Sequence, residues 1–362
     1  MKICYIGDAR SIHLRRWVDH FAGVGNEISI ISYHPAAYAN AQVYVIRHEE
    51  NPILVPVKYP GETILIASRI RNIQPDLVHI HYVSIDGLAP ALMKNIPLIA
   101  SVWGSDVFHD FRVNRKFRMI IRKILKRADA VTATSRFLAD ETQKYLPRGK
   151  RINVIPFGVD TDFFRPIKPV KKDRNITLCY IKGLETHYGP HLLISILPKI
   201  LKNYPKTRLI MVGSGSQERN LRHLSQKLNI SSHVTFTGSL TPESVRGVLA
   251  KADIFIMPSL CQEAFGVAAL EAQAMGVPVI GSRRGGIPEA VKDGETGILY
   301  NPDEPGELFS SICRLLDSQK LRRRMGKSGR EYVTGKFGWE GCTGKMDRLY
   351  TNLIDEMKKE NR

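Results

Sequence analysis

The chain has 362 residues, of which 43% are hydrophobic and 24% charged, which excludes a disordered or fibrous protein and, at ~100–200 residues per core, predicts two domains. Lysine and arginine outnumber aspartate and glutamate by 53 to 35, and the net charge of +18 predicts an anionic partner: a phosphorylated small molecule, a nucleic acid or an anionic lipid surface. The 5 cysteines are scattered without a Cys-x-x-Cys pair, so they read as reduced buried thiols, and no apolar run approaches the ~18 residues of a membrane span.

The first predicted element is a strand, Ile3–Ile6, that runs into a turn at Gly7 without the apolar core of a signal peptide, so a cytoplasmic protein is expected. From there short apolar runs alternate with longer amphipathic stretches, the pattern of strand-helix units winding a parallel sheet. The first half supplies strands at Ile3–Ile6, Glu27–Ser32, Leu77–His81, Leu98–Val102, Ala130–Thr134 and Asn153–Pro156. Gly7, Arg10 and His13 occupy the first strand-to-helix turn, where they are expected to border a ligand. His79 and His81 alternate on one strand and share a face, but two histidines without a third ligand do not make a metal site. Asp106 follows the strand Leu98–Val102 in the run Trp103-Gly104-Ser105-Asp106 and is the acidic candidate of the first half.

Between Phe111 and Ala128 there are 8 basic residues and no acidic one, with Val113, Phe117, Ile120, Ile121, Ile124 and Leu125 at helical spacing. Such a basic amphipathic helix suits an anionic membrane surface, and its apolar side equally suits a domain core. Asp160-Thr161-Asp162 reads as a turn rather than a metal site. Two prolines and four basic residues from Phe164 to Asp173 mark a linker, so the domains are expected at 1–165 and 174–337 around a linker at 166–173. A terminal helix is expected within 338–362, where Met346, Leu349, Tyr350, Leu353 and Ile354 recur at helical spacing.

The second half supplies strands at Thr177–Ile181, Arg208–Val212, Val234–Thr237, Ile254–Met257, Val279–Gly281 and Ile298–Tyr300. Its most informative stretch runs from Ala252 to Asn301. A buried strand ends at Pro258, a loop carries Glu263, and a helix opens near Phe265-Gly266 and stops at Gly276 before Pro278. Ligands of an open α/β sheet sit at this carboxyl end of the strands, and a helix opening offers unpaired N–H groups and a positive dipole end to a diphosphate. Glu271 lies inside an otherwise apolar helix, where an idle charge is costly. At helical rise throughout, Glu263 and Glu271 stand ~12 Å apart, about the span of a nucleoside diphosphate-sugar, and each carboxylate can accept hydrogen bonds from vicinal hydroxyls.

Glu263, seven residues and Glu271, then Gly285-Gly286-Ile287-Pro288-Glu289 and Asp293-Gly294-Glu295-Thr296-Gly297, resemble the retaining glycosyltransferases of family 4. The run Val154-Ile155-Pro156-Phe157-Gly158-Val159-Asp160, with Phe164 and Pro166, and Phe236-Thr237-Gly238 extend the resemblance along the chain. The resemblance implies a GT-B fold: α/β, two doubly wound Rossmann-like domains facing a central cleft, with the terminal helix returning to the N-terminal domain. It also implies an N-terminal acceptor domain and a C-terminal sugar-nucleotide domain. Glu271 would hold the ribose, Glu263 the transferred sugar, and the backbone of Phe265, Gly266 and Val267 the diphosphate and sugar. Gly213, Leu240 and Arg283 complete the expected donor side, and Gly7, Arg10, His13 and His81 the acceptor side. The family's usual Arg and Lys for the diphosphate are replaced here by Gly183 and Tyr188, so Lys182, with His187 or Arg283, is expected to supply the charge. Glu263, Asp106 and Lys182 are therefore the expected catalytic set.

The implied reaction is metal-independent transfer of a hexosyl group from a nucleotide diphosphate-sugar, a UDP-sugar ahead of a GDP-sugar, to a hydroxyl of a sugar or lipid-linked acceptor. No cofactor is expected, and the setting implied is cell-surface polysaccharide or glycolipid synthesis, cytoplasmic or peripheral on the inner membrane face. A nucleotide-dependent oxidoreductase would need three spaced glycines after a strand, and Gly213-Ser214-Gly215-Ser216-Gln217-Glu218 has two. A nucleic-acid-binding protein would need aromatic residues interleaved with its cations, and the basic helix has only Phe111 and Phe117, on or near its apolar side, so no nucleic acid is expected.

Overall fold

The computed structural model describes residues 1–46, 55–108, 115–167, 175–304 and 306–360, with side chains from 61 in the helix Val55–Ile73 and from 117 in the helix Arg115–Arg127. The chain forms two compact units, Met1–Phe157 with Cys342–Arg362, and Gly158–Gly341.

In the first unit the strands are β1 (Lys2–Ile6), β2 (Glu27–Ser32), β3 (Gln42–Val45), β4 (Leu77–His81), β5 (Leu98–Val102), β6 (Ala130–Ala133) and β7 (Ile152–Val154). Among the described residues they form a 7-stranded sheet in the order β3-β2-β1-β4-β5-β6-β7 with every pairing parallel. All five residues of β4 and of β5 are buried, as expected of strands covered on both faces. The order reverses between β1 and β4, so Gly7, after β1, and His81, at the end of β4, meet at the switch point. A Cβ on Gly7 would stand 2.9 Å from the His81 carbonyl oxygen, which keeps that position small. The terminal helix Trp339–Glu360 belongs to this unit from Cys342 on, and its Tyr350 hydroxyl lies 3.1 Å from that of Tyr5 in β1.

The basic helix spans Arg115–Arg127; residues 111–114 of the expected element lie outside the described residues. Ile121, Ile124 and Leu125 are fully buried, so its apolar stripe belongs to the core, while Arg122, Lys123 and Lys126 are exposed.

The second unit contains β8 (Ile176–Ile181), β9 (Thr207–Val212), β10 (Val234–Phe236), β11 (Ile254–Met257), β12 (Val279–Ser282) and β13 (Gly297–Tyr300), a 6-stranded parallel sheet among the described residues in the order β10-β9-β8-β11-β12-β13. Alternate residues feed opposite faces: Leu178, Tyr180, Ile254 and Ile256 enter one apolar cluster, Cys179, Phe255 and Met257 the other. The switch point, β8 beside β11, brings Lys182 after β8 to the loop after β11 that carries Glu263.

The structure differs from the expected elements and boundary in two places. The strand β3 was not predicted, because four residues at a sheet edge carry no distinct apolar run. The units divide at Phe157 and Gly158, ahead of the expected 166–173 linker, of which 168–173 lie outside the described residues. The reason is packing: Val159 and Phe164 are buried in the second unit's core. The Val159 amide also donates to Phe337 and its carbonyl accepts from Trp339, both at 2.9 Å. Asp160 serves as the expected turn former, its Oδ1 accepting from the amides of Asp162 at 3.0 Å and Phe163 at 2.8 Å.

Candidate functional site

In the second unit the site is assembled around Glu263, a residue only 6% exposed. Its Oε2 accepts from Lys182 Nζ at 2.9 Å and its Oε1 from Ser259 Oγ at 2.7 Å. The Lys182 ammonium also lies 4.7 Å from the centre of the Tyr188 ring. Burial pulls the Lys182 pKa down, but the charge of Glu263, then Tyr188 and the hydrogen bond to Glu263, outweigh it and hold Lys182 above the ordinary lysine value. Burial, foremost, and the Glu263 charge push the Cys261 thiol up to about 11, so it stays protonated.

The loop that presents Glu263 is fixed by backbone contacts from three directions. The His187 carbonyl accepts from the amides of Leu260 at 2.9 Å and Cys261 at 3.1 Å, and the Gly286 amide donates to the Glu263 carbonyl at 2.8 Å. Ser282 Oγ donates to the Ser259 carbonyl at 2.7 Å. Gly285, at φ +55°, runs so close that a Cβ would fall 2.1 Å from the Glu263 carbonyl oxygen. Gly213, at φ +129°, packs as tightly on the Lys182 carbonyl, also 2.1 Å from its virtual Cβ. Gly183 is different: a Cβ there would meet Tyr188 at 3.6 Å and the Ser214 carbonyl oxygen at 3.7 Å, ordinary contacts.

The helix after this loop is Val267–Ala274, entered through Gly266 in the left-handed region and without a side-chain cap from that residue. Phe265 is buried against Phe337, ring centres 5.1 Å apart, which leaves its backbone and not its ring for a ligand. Glu271 is half-buried on the second turn of this helix. The spacing computed from helical rise does not apply, because the chain from Glu263 to Gly266 is not helical. Leu240 is half-buried ahead of Thr241, which caps the helix Pro242–Leu249. Arg283 is paired with Asp293, an ion pair with both side chains nearly half exposed.

In the first unit, Asp106 is fully buried and its carboxylate accepts from the amides of Val83 at 3.0 Å, Trp103 at 3.1 Å and Gly104 at 2.7 Å. Through these bonds it ties the loops after β4 and β5 together. Arg10 is exposed and grips Asp8 through two hydrogen bonds of 3.1 and 2.9 Å, which hold the Asp8 carboxyl below its ordinary value. His13 stacks on Phe157 at 4.4 Å and meets Trp103 edge-on at 5.8 Å. His81 Nε2 lies 3.1 Å from His79 Nδ1, confirming the shared face of the two imidazoles.

Sequence reasoning found Glu263 and Lys182 but not that they pair, nor Ser259, Tyr188 and the His187 carbonyl as their partners. These are contacts between strand ends distant in sequence, and only the switch-point topology shows them. The Gly285-Gly286 run was visible as a motif, and its approach to the Glu263 backbone explains it.

Comparisons with known proteins bear on the family and the fold. The family described as glycosyl transferases group 1 matches residues 160–332, and that described as glycosyl transferase 4-like matches residues 2–135. The chain is 27% identical over 323 residues to a GDP-mannose-dependent alpha-(1-6)-phosphatidylinositol monomannoside mannosyltransferase of Mycobacterium tuberculosis, covering 83% of this chain and 82% of that protein. It is 28% identical over 319 residues to a D-inositol 3-phosphate glycosyltransferase of Corynebacterium jeikeium, covering 80% and 75%. In fold it is similar to a sucrose-phosphate synthase from Thermosynechococcus elongatus (TM-score 0.83, 22% identity, 98% of this chain and 100% of that one). The Anabaena protein HepE in complex with UDP and glucose gives a TM-score of 0.82 at 17% identity, over 97% and 100% of the two chains.

Proposed function

The chain belongs to the glycosyltransferases of group 1, with the two Rossmann-like domains of the GT-B fold, and on that premise we propose that it moves a hexosyl group from a nucleoside diphosphate-sugar to an acceptor hydroxyl with retention of configuration. The observation that carries this reading is the ion pair of Lys182 and Glu263 at the opening of the Val267–Ala274 helix. Glu263 takes hydroxyls of the transferred sugar, Glu271 those of the ribose, and the uncapped amides after Gly266 take the diphosphate. Gly213 and Leu240 border the nucleotide. The glycosidic C–O bond to the diphosphate breaks, the acceptor oxygen bonds to the same carbon on the same face, and its proton passes to the departing phosphate oxygen. Negative charge grows on that phosphate as the bond loosens, and Lys182 with the helix amides stabilises it, so the reaction proceeds without a metal.

The donor is a GDP- or UDP-sugar: a relative is named for GDP-mannose, and a structure of similar fold holds UDP and glucose. The names of the two curated relatives favour a cyclitol or lipid-linked sugar as acceptor, in glycolipid or polysaccharide synthesis. No helix among the described residues is long and apolar enough to cross a membrane, and contact with an anionic lipid surface through Arg122, Lys123 and Lys126 fits a lipid-linked acceptor. Gly7, Arg10 and His13 border that acceptor.

The test is a thermal-shift panel of UDP-, GDP- and ADP-sugars with EDTA present. At least one is expected to raise Tm by about 2 °C or more, and Glu271→Ala to abolish the rise while unfolding stays cooperative. A flat response across the panel would end the donor-site reading.

A further inference from the structure

At the carboxyl ends of β4 to β7 in the first unit, His81, Ser101, Trp103, Thr134 and Phe157 line a small cavity with Trp17. It has room for about one water-sized group. Two polar atoms in its wall make no hydrogen bond within the described residues, His81 Nδ1 and Thr134 Oγ1, in residues only 2% and 3% exposed. Buried polar atoms without a partner are uncommon, and two of them on one cavity mark a site that a ligand completes.

The chemistry of that ligand follows from how the imidazole is held. His81 Nε2 is engaged with His79 Nδ1 at 3.1 Å, which also meets the Tyr350 hydroxyl at 2.7 Å. His79 Nε2 lies 2.6 Å from Ser101 Oγ, which continues to Thr132 Oγ1 at 2.5 Å. This chain ties the imidazole to three strands and the terminal helix and leaves Nδ1 as the one nitrogen of His81 for the cavity. Burial, and then the neighbouring His13, lower the His81 pKa to about 3, so the ring is neutral. A neutral imidazole presents either a proton or a lone pair at Nδ1, according to its tautomer, and a threonine hydroxyl can donate or accept. A hydroxyl group matches the pair in either tautomer. A carboxylate or phosphate would lose its water with no counter-charge in the lining.

We propose that this cavity is a specificity subsite that reads one hydroxyl of a neutral polyhydroxylated ring, a sugar or a cyclitol, through His81 Nδ1 and Thr134 Oγ1, with the ring's apolar face against Trp103. Trp103 is the aromatic residue of the lining that remains half-buried rather than buried, as a side chain that covers a ring requires. The inference rests on the acceptor half of the glycosyl transfer reading and names the chemical class of the acceptor. Neither side chain takes part in bond making; both select which ring is held.

The experiment is a ligand-observed NMR titration of the full chain with methyl α-mannopyranoside and with myo-inositol, run beside titrations with UDP and GDP. One of the two rings is expected to bind, Thr134→Val to weaken it about tenfold, and Thr134→Ser to restore it, with nucleotide affinity of both variants within about twofold of the parent. Unchanged ring binding by Thr134→Val overturns the proposal and assigns the cavity to a trapped water. Nucleotide binding without binding of either ring also overturns it while the glycosyl transfer reading stands. Absence of both nucleotide and ring binding overturns the two together.

Discussion

Lys182 and the pair His79 and His81 illustrate opposite ways of handling charge. Lys182 keeps its charge, because the Glu263 carboxylate beside it, which also accepts from Ser259, outweighs the pull of burial and holds its pKa up. His79 and His81 give theirs up: burial first, then a neighbouring imidazole, holds His79 far below the ordinary value of 6.5 and takes His81 to about 3. The unfolded chain takes up protons on both rings as pH falls through 6.5, whereas the folded chain does not until far lower, so stability falls with pH across that window. Each neutral imidazole is expected to cost about 1.4 kcal/mol per pH unit well below its unfolded pKa. His81→Gln should remove one such contribution, so that urea unfolding at pH 8 and pH 5 shows a loss smaller by about 2 kcal/mol than in the parent chain. An equal loss in the two proteins would show that His81 is protonated when folded. The shared face of the two imidazoles was legible from strand alternation; their neutrality depends on Tyr350 and Ser101 closing over them, which no spacing reveals.

At the scale of elements, most strands were legible because runs such as Ile3–Ile6 and Ile254–Met257 are buried on both faces and therefore continuously apolar. Loops were not, since their conformation is decided by backbone approach. The two glycines flanking the site separate the kinds of reason for having no side chain. At Gly285 a methyl group would strike the Glu263 carbonyl oxygen at 2.1 Å and its amide nitrogen at 2.5 Å, with φ +55° adding strain. Gly285→Ala is therefore expected to cost about 1–3 kcal/mol and, by displacing the Glu263 loop, to lower sugar transfer by about a hundredfold. Gly183→Ala meets only an ordinary contact at 3.6 Å and should keep transfer within about threefold of the parent. Steady-state transfer rates and unfolding midpoints of the two variants check this, and equal activity in both would refute the positioning role of the Gly285-Gly286 turn. The same logic explains why the two compact units divide ahead of the expected linker: Pro166 and the basic residues after it read as a linker, while Val159 and Phe164 pack in the second core.

For the whole molecule, the net charge of +18 asks where an anion is met, and the donor diphosphate accounts for little of it. The helix Arg115–Arg127 gives the excess a direction, because Ile121, Ile124 and Leu125 are sealed in the core while Arg122, Lys123 and Lys126 face solvent. With Ile121, Ile124 and Leu125 already used in the core, the proposed membrane contact is electrostatic. Each exposed cation near an anionic bilayer contributes about 1 kcal/mol, so replacing all three by alanine should weaken binding to phosphatidylglycerol-containing vesicles by about a hundredfold. Raising salt from about 0.05 M to about 0.5 M should release the parent chain as well, since screening shortens the reach of surface charge severalfold. Vesicle co-sedimentation reads both effects. Binding that survives high salt would instead need an apolar contact, and Met119, 66% exposed on the same helix, would then be the residue whose removal abolishes it.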